Sequence, residues 1–157
     1  MLIQKEIEEK IKLALAEKFA TKGLKDSVTL RGSWDVAGFG LSRWVEGVEN
    51  SKAFVSVAVA TPEKPSPNSP VILFAANITI FIRCERDTTG EMLCALAEAV
   101  QELIDEWMNE SCQADFLSLD GTHSIDAISL QGGSSPVVEN SIATVNYPLT
   151  LQGIFKQ

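Results

Sequence analysis

Phe54-Val-Ser-Val-Ala-Val-Ala60, and Asn77-Ile-Thr-Ile-Phe-Ile-Arg-Cys84 running on toward Glu91-Met-Leu-Cys-Ala-Leu-Ala-Glu-Ala-Val-Gln-Glu-Leu-Ile-Asp-Glu-Trp107, are the stretches whose reading decides the fold. In the first, Val55, Val57 and Val59 fall on one face of a strand and Phe54, Ser56 and Ala58 on the other. In the second, Ile78, Ile80 and Ile82 oppose Asn77, Thr79 and Phe81, within a strand expected from Val71 to about Cys84. The period then changes. Met92, Leu96, Val100, Leu103 and Trp107 form one helical seam, widened by Leu93 and Ile104, in a helix expected from about Thr89 to Met108. Two strands followed by an amphipathic helix make a sheet with a helix laid across it.

Outward from that block, Ile3, Ile7, Ile11, Ala14, Leu15 and Phe19 mark a first helix over residues 2–21, with Gly23 as its stop. Glu6–Lys10 and Glu8–Lys12 read as surface pairs one turn apart. Ser27–Arg31 predicts a short strand, residues 32–40 a glycine-rich loop, and Trp44–Glu49 another short strand. Between the two long strands, residues 61–70 carry four prolines, which keep that segment out of a sheet and favour an extended form. Thr88-Thr-Gly-Glu91 fits a capping box with Thr88 as N-cap. Phe116–Leu119, Ile125–Leu130 and Ile142–Ile154 read as further strands separated by Asp-Gly and Gly-Gly-Ser-Ser turns, and Pro148 demands a break, a bulge or an edge position. The expected fold is α+β: an antiparallel or mixed sheet with two helices packed on one face. It forms a single domain over residues 1–157, with an extended Pro-rich loop at 61–70.

Composition narrows the chemistry. The 157 residues, 45% hydrophobic, suffice for a core without disulfides or metals. No apolar run is long enough to span a bilayer. The start of the chain is charged from Lys5 onward, so no export signal is expected, and the sequons at Asn77 and Asn109 carry no glycosylation meaning. Cys84, Cys94 and Cys112 are odd in number and lack a C-x-x-C pair, which fits a reducing compartment. Cys84 and Cys94 read as small core residues. The net charge is −8, and Glu85 to Asp126 holds eleven acids against the single base Arg86. Such a blanket argues against a phosphate-gripping surface, since Lys and Arg supply most nucleic-acid affinity. It reads either as a solvated helix face or as a surface that repels DNA or meets a basic partner.

Candidate chemistry is sparse. His123, with Ser124 and Asp126, has the residue types of a hydrolytic triad, but triad members converge from separate elements and this spacing does not. Alternation would turn Ser124 and Asp126 away from Ile125, toward solvent. No four-ligand metal set and no phosphate-cradling glycine motif is present in the sequence, so no cofactor or metal is expected and catalysis is not. What remains for contact with other proteins is Trp34 and Trp44 in loops and the proline segment, with Pro65 and Pro67 at its centre. The tryptophans read equally well as caps on the core.

In element order this chain resembles the tail-terminator (tail-completion) and head–tail joining proteins of long-tailed bacteriophages. The likeness rests on the first helix, on Phe54–Ala60, on Ile78–Cys84 leading into Glu91–Trp107, and on the closing Ala143–Phe155. Residues 32–40 have no match in that pattern. The resemblance implies a homo-oligomeric ring, a hexamer, that ends the tail tube and meets the head-connector proteins. DNA would then be passing cargo, no membrane would be involved, and assembly in the bacterial cytoplasm would yield a virion component. Two other classes fit the same residues: a protein-binding or oligomeric scaffold domain, and a small enzyme or ligand binder with a dispersed site.

Overall fold

The computed structural model describes residues 3–33, 53–60, 71–86, 89–108, 123–130, 132–133 and 135–156. Within these, helix α1 (Ile3–Thr21) is followed by strands β1 (Thr29–Gly32), β2 (Ala53–Val59) and β3 (Val71–Glu85). Helix α2 (Glu91–Met108) comes next, then β4 (His123–Leu130), β5 (Val137–Glu139) and β6 (Ile142–Lys156). The six strands make one mixed sheet in the order β1-β2-β3-β6-β4, with β5 also paired to β6. Only β1 and β2 run parallel; the other pairs are antiparallel. The α+β architecture is as expected. Trp44–Glu49, the segment 61–70 and Phe116–Leu119 lie outside the described residues.

The alternation of the two central strands becomes a cross-strand lattice. Val55, Val57 and Val59 stand opposite Ile82, Ile80 and Ile78. Those isoleucines in turn oppose Val145, Tyr147 and Leu149 of β6. All are buried, and onto this one face pack Ile7, Ile11, Leu15 and Phe19 from α1 and Leu93, Leu96, Ala99, Val100, Leu103, Ile104 and Trp107 from α2. The α2 stripe follows the expected seam, with Ala99 added to it and Met92 only partly buried. Both helices therefore cover the same face.

Helix ends follow local chemistry. At the C-terminus of α1, Leu24 N–H donates to Phe19 O (2.8 Å) and Gly23 N–H to Ala20 O (3.2 Å), with Gly23 at φ +72°. This is a Schellman motif that only glycine adopts without strain, and Leu24 closes it by packing on the core. The start of α2 corrects the expected capping box. The helix opens at Glu91, Gly90 sits at φ +73°, and Glu91 N–H donates to Thr89 Oγ1 at 3.4 Å. The left-handed glycine ends the approach to the helix two residues beyond the proposed N-cap, Thr88, which lies outside the described residues.

Other expectations also change. Cys84 is buried, as expected, but Cys94 is exposed on α2 and is no core residue. It falls on the flank opposite Leu93 and Leu96, where the helical period turns it outward. β5, absent from the sequence reading, folds back on β6 through Asn140 and Ser141, both at positive φ (51° and 63°). Such a turn is ordinarily written Asn-Gly, and serine in place of glycine hid it.

Pro148 neither breaks nor bulges β6. Arg86 N–H donates to Ser141 O and Ala60 N–H to Asn77 O, which fixes the alternation of ladder bonds. By that alternation Thr79–Pro148 is a non-hydrogen-bonded pair, and the proline nitrogen faces away from β3. On that outer side β5 stops at Thr144 and β4 begins at Leu149. Pro148 occupies the gap, a local edge.

Candidate functional site

The surfaces that remain after the core is built are the candidate site, and their chemistry differs from face to face. On the helix layer, α1 and α2 are joined by ion pairs. Lys18 Nζ donates to Glu106 Oε1 at 2.5 Å and lies 3.4 Å from Glu102 Oε2, and Lys22 Nζ reaches Glu102 Oε1 at 2.9 Å. The hydrogen bond to Glu106 raises the Lys18 pKa above the usual lysine value, against the opposing effect of burial. The hydrogen bond from Lys22 holds Glu102 below the usual carboxylate range. Part of the acidic blanket on α2 is therefore tied to α1, while Glu91, Glu98 and Asp105 stay exposed.

Glu8 departs furthest from its expected role. Rather than standing on the surface, it is 1% exposed. Its carboxylate accepts hydrogen bonds from Val59 N–H (3.3 Å) and from Ser33 Oγ. The reason is topological. Among the described residues β1 pairs with β2 as far as Val57, with Ser33 N–H donating to Val57 O, and the next ladder donor on that side of β2 is Val59 N–H. Glu8 reaches down from the helix layer to accept from it. The sequence signal was faint: a carboxylate one residue after Ile7, at the margin of the apolar stripe.

The sheet's other face carries no helix among the described residues. Thr79, Phe81 and Arg83 of β3 and Thr144, Pro148 and Thr150 of β6 are half-buried there, and Asn77, Asn146 and Ser129 are exposed. Arg83 is its one cation at these positions. It pairs with Glu85 at 3.0 Å and lies 6.0 Å from the centre of the buried Phe54 ring. Arg31 of β1, half-buried and opposite Ser56, is a second cation on this face, and the rest of the positions named are mostly hydroxyl-bearing or uncharged. They offer neither a nucleophile set beside a base nor a row of cations.

At the sheet's edges the character is apolar. Val137 and Val138 of β5 are 55% and 71% exposed. At the opposite edge, a surface groove of about 440 Å³ lies between α1 and β1, lined by Glu9, Lys12, Leu13, Ala16 and Leu30. Leu13 is 65% exposed.

The contact residues expected from sequence, Trp34, Trp44, Pro65 and Pro67, lie outside the described residues. Their anchors do not. The residues flanking the tryptophan segment are Ser33, just after β1, and Ala53, which opens β2. On either side of residues 61–70, Ala60, bonded to Asn77, and Val71 lie about six strand residues, or roughly 20 Å, apart along β3. His123 opens β4 opposite Phe155, and the register shifts between Ile125 and Ala127. That shift at Asp126 removes the simple alternation from which its direction was expected. Among the described residues, no group of three or more His, Cys, Asp or Glu could hold a metal ion, and no helix is long and apolar enough to cross a membrane.

No family model matches the chain, and no curated protein does. Among solved structures, a chain from "Virion of native gene transfer agent (GTA) particle" is similar to it, with a TM-score of 0.55 at 10% sequence identity. The likeness covers 98% of this chain and 95% of that one. At that identity what the two share is a fold, and they share it end to end.

Proposed function

We propose that this protein is a structural component of a phage-like particle, which assembles as a hexameric ring on the end of the tail tube, stops its growth and presents a surface to the head connector. The observation that carries this reading is the end-to-end fold shared with a chain of a gene transfer agent virion. A partial match would point to a common building block; coverage of nearly all of both chains points to a common kind of part.

The surfaces support the reading. A hydroxyl-rich, weakly charged sheet face and two apolar edges suit contact with other protein subunits. A chain of net charge −8 with eleven acids between Glu85 and Asp126 lets DNA pass without gripping it. In this role no bond is made or broken and no cofactor is used. The partners are further copies of the chain, the tail tube and the head-connector proteins. The protein ends in the virion after assembly in the bacterial cytoplasm, without membrane contact.

Loss of the gene in its parent particle tests this. The expected result is tail tubes of uncontrolled length that fail to join heads, with normal length restored by the purified protein. Tails of normal length that join heads without it would overturn the reading.

A further inference from the structure

We propose that neighbouring copies of this chain meet edge to edge, with the Val137–Val138 hairpin of one protomer seated in the Leu13–Leu30 groove of the next. The inference rests on the ring reading above and names its contact.

The two features lie at opposite ends of one sheet, four strand spacings or roughly 19 Å apart, β5 outside β6 and the groove against β1. One is a strand hairpin and the other a groove, and both expose large apolar side chains: Val138 at 71% and Leu13 at 65%. They also lie on the same side of the sheet. Val138 stands opposite Ala143, whose side chain is in the helix-covered core, and Leu30 stands opposite Val55, which is in the same core. Two copies set side by side in the same orientation therefore bring Val138 to Leu30 without either sheet turning over. The helix layer stays on one side all the way round.

Strand direction agrees. β1 runs parallel to β2, β2 and β6 are both antiparallel to β3, and β5 is antiparallel to β6, so β5 runs antiparallel to β1. The charges agree as well. The hairpin presents Glu139, with exposed Arg86 at its base donating its N–H to Ser141 O, and the groove presents Lys12 and Glu9. Each side thus offers one charge of each sign. A contact between two different surfaces of the same chain is heterologous, and repeated with rotation it closes a ring. It also covers an apolar edge strand that would otherwise invite uncontrolled pairing.

Cysteine pairing tests the contact. Leu13→Cys and Val138→Cys are combined in one chain whose Cys94 and Cys112 are replaced by serine, and the assembled protein is mildly oxidised. The expected product on a non-reducing gel is a ladder of covalent oligomers ending at the ring size, with neither single variant giving one. Assembly by light scattering without a ladder overturns the contact and leaves the ring reading standing. A chain that never assembles, alone or on tail tubes, removes both. Val138→Asp gives a second readout. Because the side chain is exposed, the thermal midpoint should hold while the concentration needed for assembly rises at least tenfold. Unchanged assembly would overturn the contact.

Discussion

Glu8 is a nearly fully buried carboxylate at the described end of β1, accepting from Val59 N–H and Ser33 Oγ. Truncation leaves both donors without this acceptor in a buried place, which costs about 1–3 kcal/mol by the usual penalty for a lost buried partner. Glu8→Ala is therefore expected to lower the urea-unfolding free energy by that amount. Glu8→Gln, which keeps an acceptor oxygen, should lose less. Equal stability of Glu8→Ala and the parent would remove the bracing role. The apolar stripe of α1 was legible because Ile7, Ile11, Leu15 and Phe19 recur at helical spacing. The role of Glu8 was not, since it depends on where β1 ends, and that is a long-range fact. Cys94 failed for a simpler reason: it was placed by residue type, whereas the helical period already turns it away from the seam.

At the scale of elements, turns and helix joints are where the account is most exposed. Gly90 has open space around it but φ +73°, so Gly90→Ala is strained by its backbone alone. The expected loss is about 1–2 kcal/mol by the left-handed penalty for an L-residue, read as a lower denaturation midpoint with unchanged slope. The Lys18/Lys22–Glu102/Glu106 bridge predicts a pH signature. Glu102 is depressed in the folded state, so its contribution is complete above the ordinary glutamate pKa of about 4.3 and fades as pH falls through the lower folded value. Lys18 is raised, so its contribution holds below the ordinary lysine value and is lost as pH climbs through the folded one. The bridge is exposed, and 1 M salt should weaken it. If Lys22→Ala leaves the acid limb of the stability profile unchanged, the joint carries nothing. The long strands and both helices were legible from period alone. β5 was not, being three residues long and joined by a turn without its usual glycine. Nor did alternation reveal that Phe54 and Ser56 would be buried on the face away from the helices.

For the whole molecule, element order carried the inference: helix, hairpin, helix and a β-rich close describe a fold shared end to end with a virion chain. The expected contact residues Trp34, Trp44, Pro65 and Pro67 lie outside the described residues, whereas the apolar edges come from β5 and from a groove that no local pattern announces. With eleven acids between Glu85 and Asp126, the purified protein is expected not to retard duplex DNA at physiological salt, and a salt-sensitive shift would contradict the passing-cargo role. The most direct test of the central claim is the mass and shape of the native protein at high concentration and on isolated tail tubes. Closed rings of six copies at the tube end are the predicted result. A monomer at every concentration that leaves tube ends bare would contradict it.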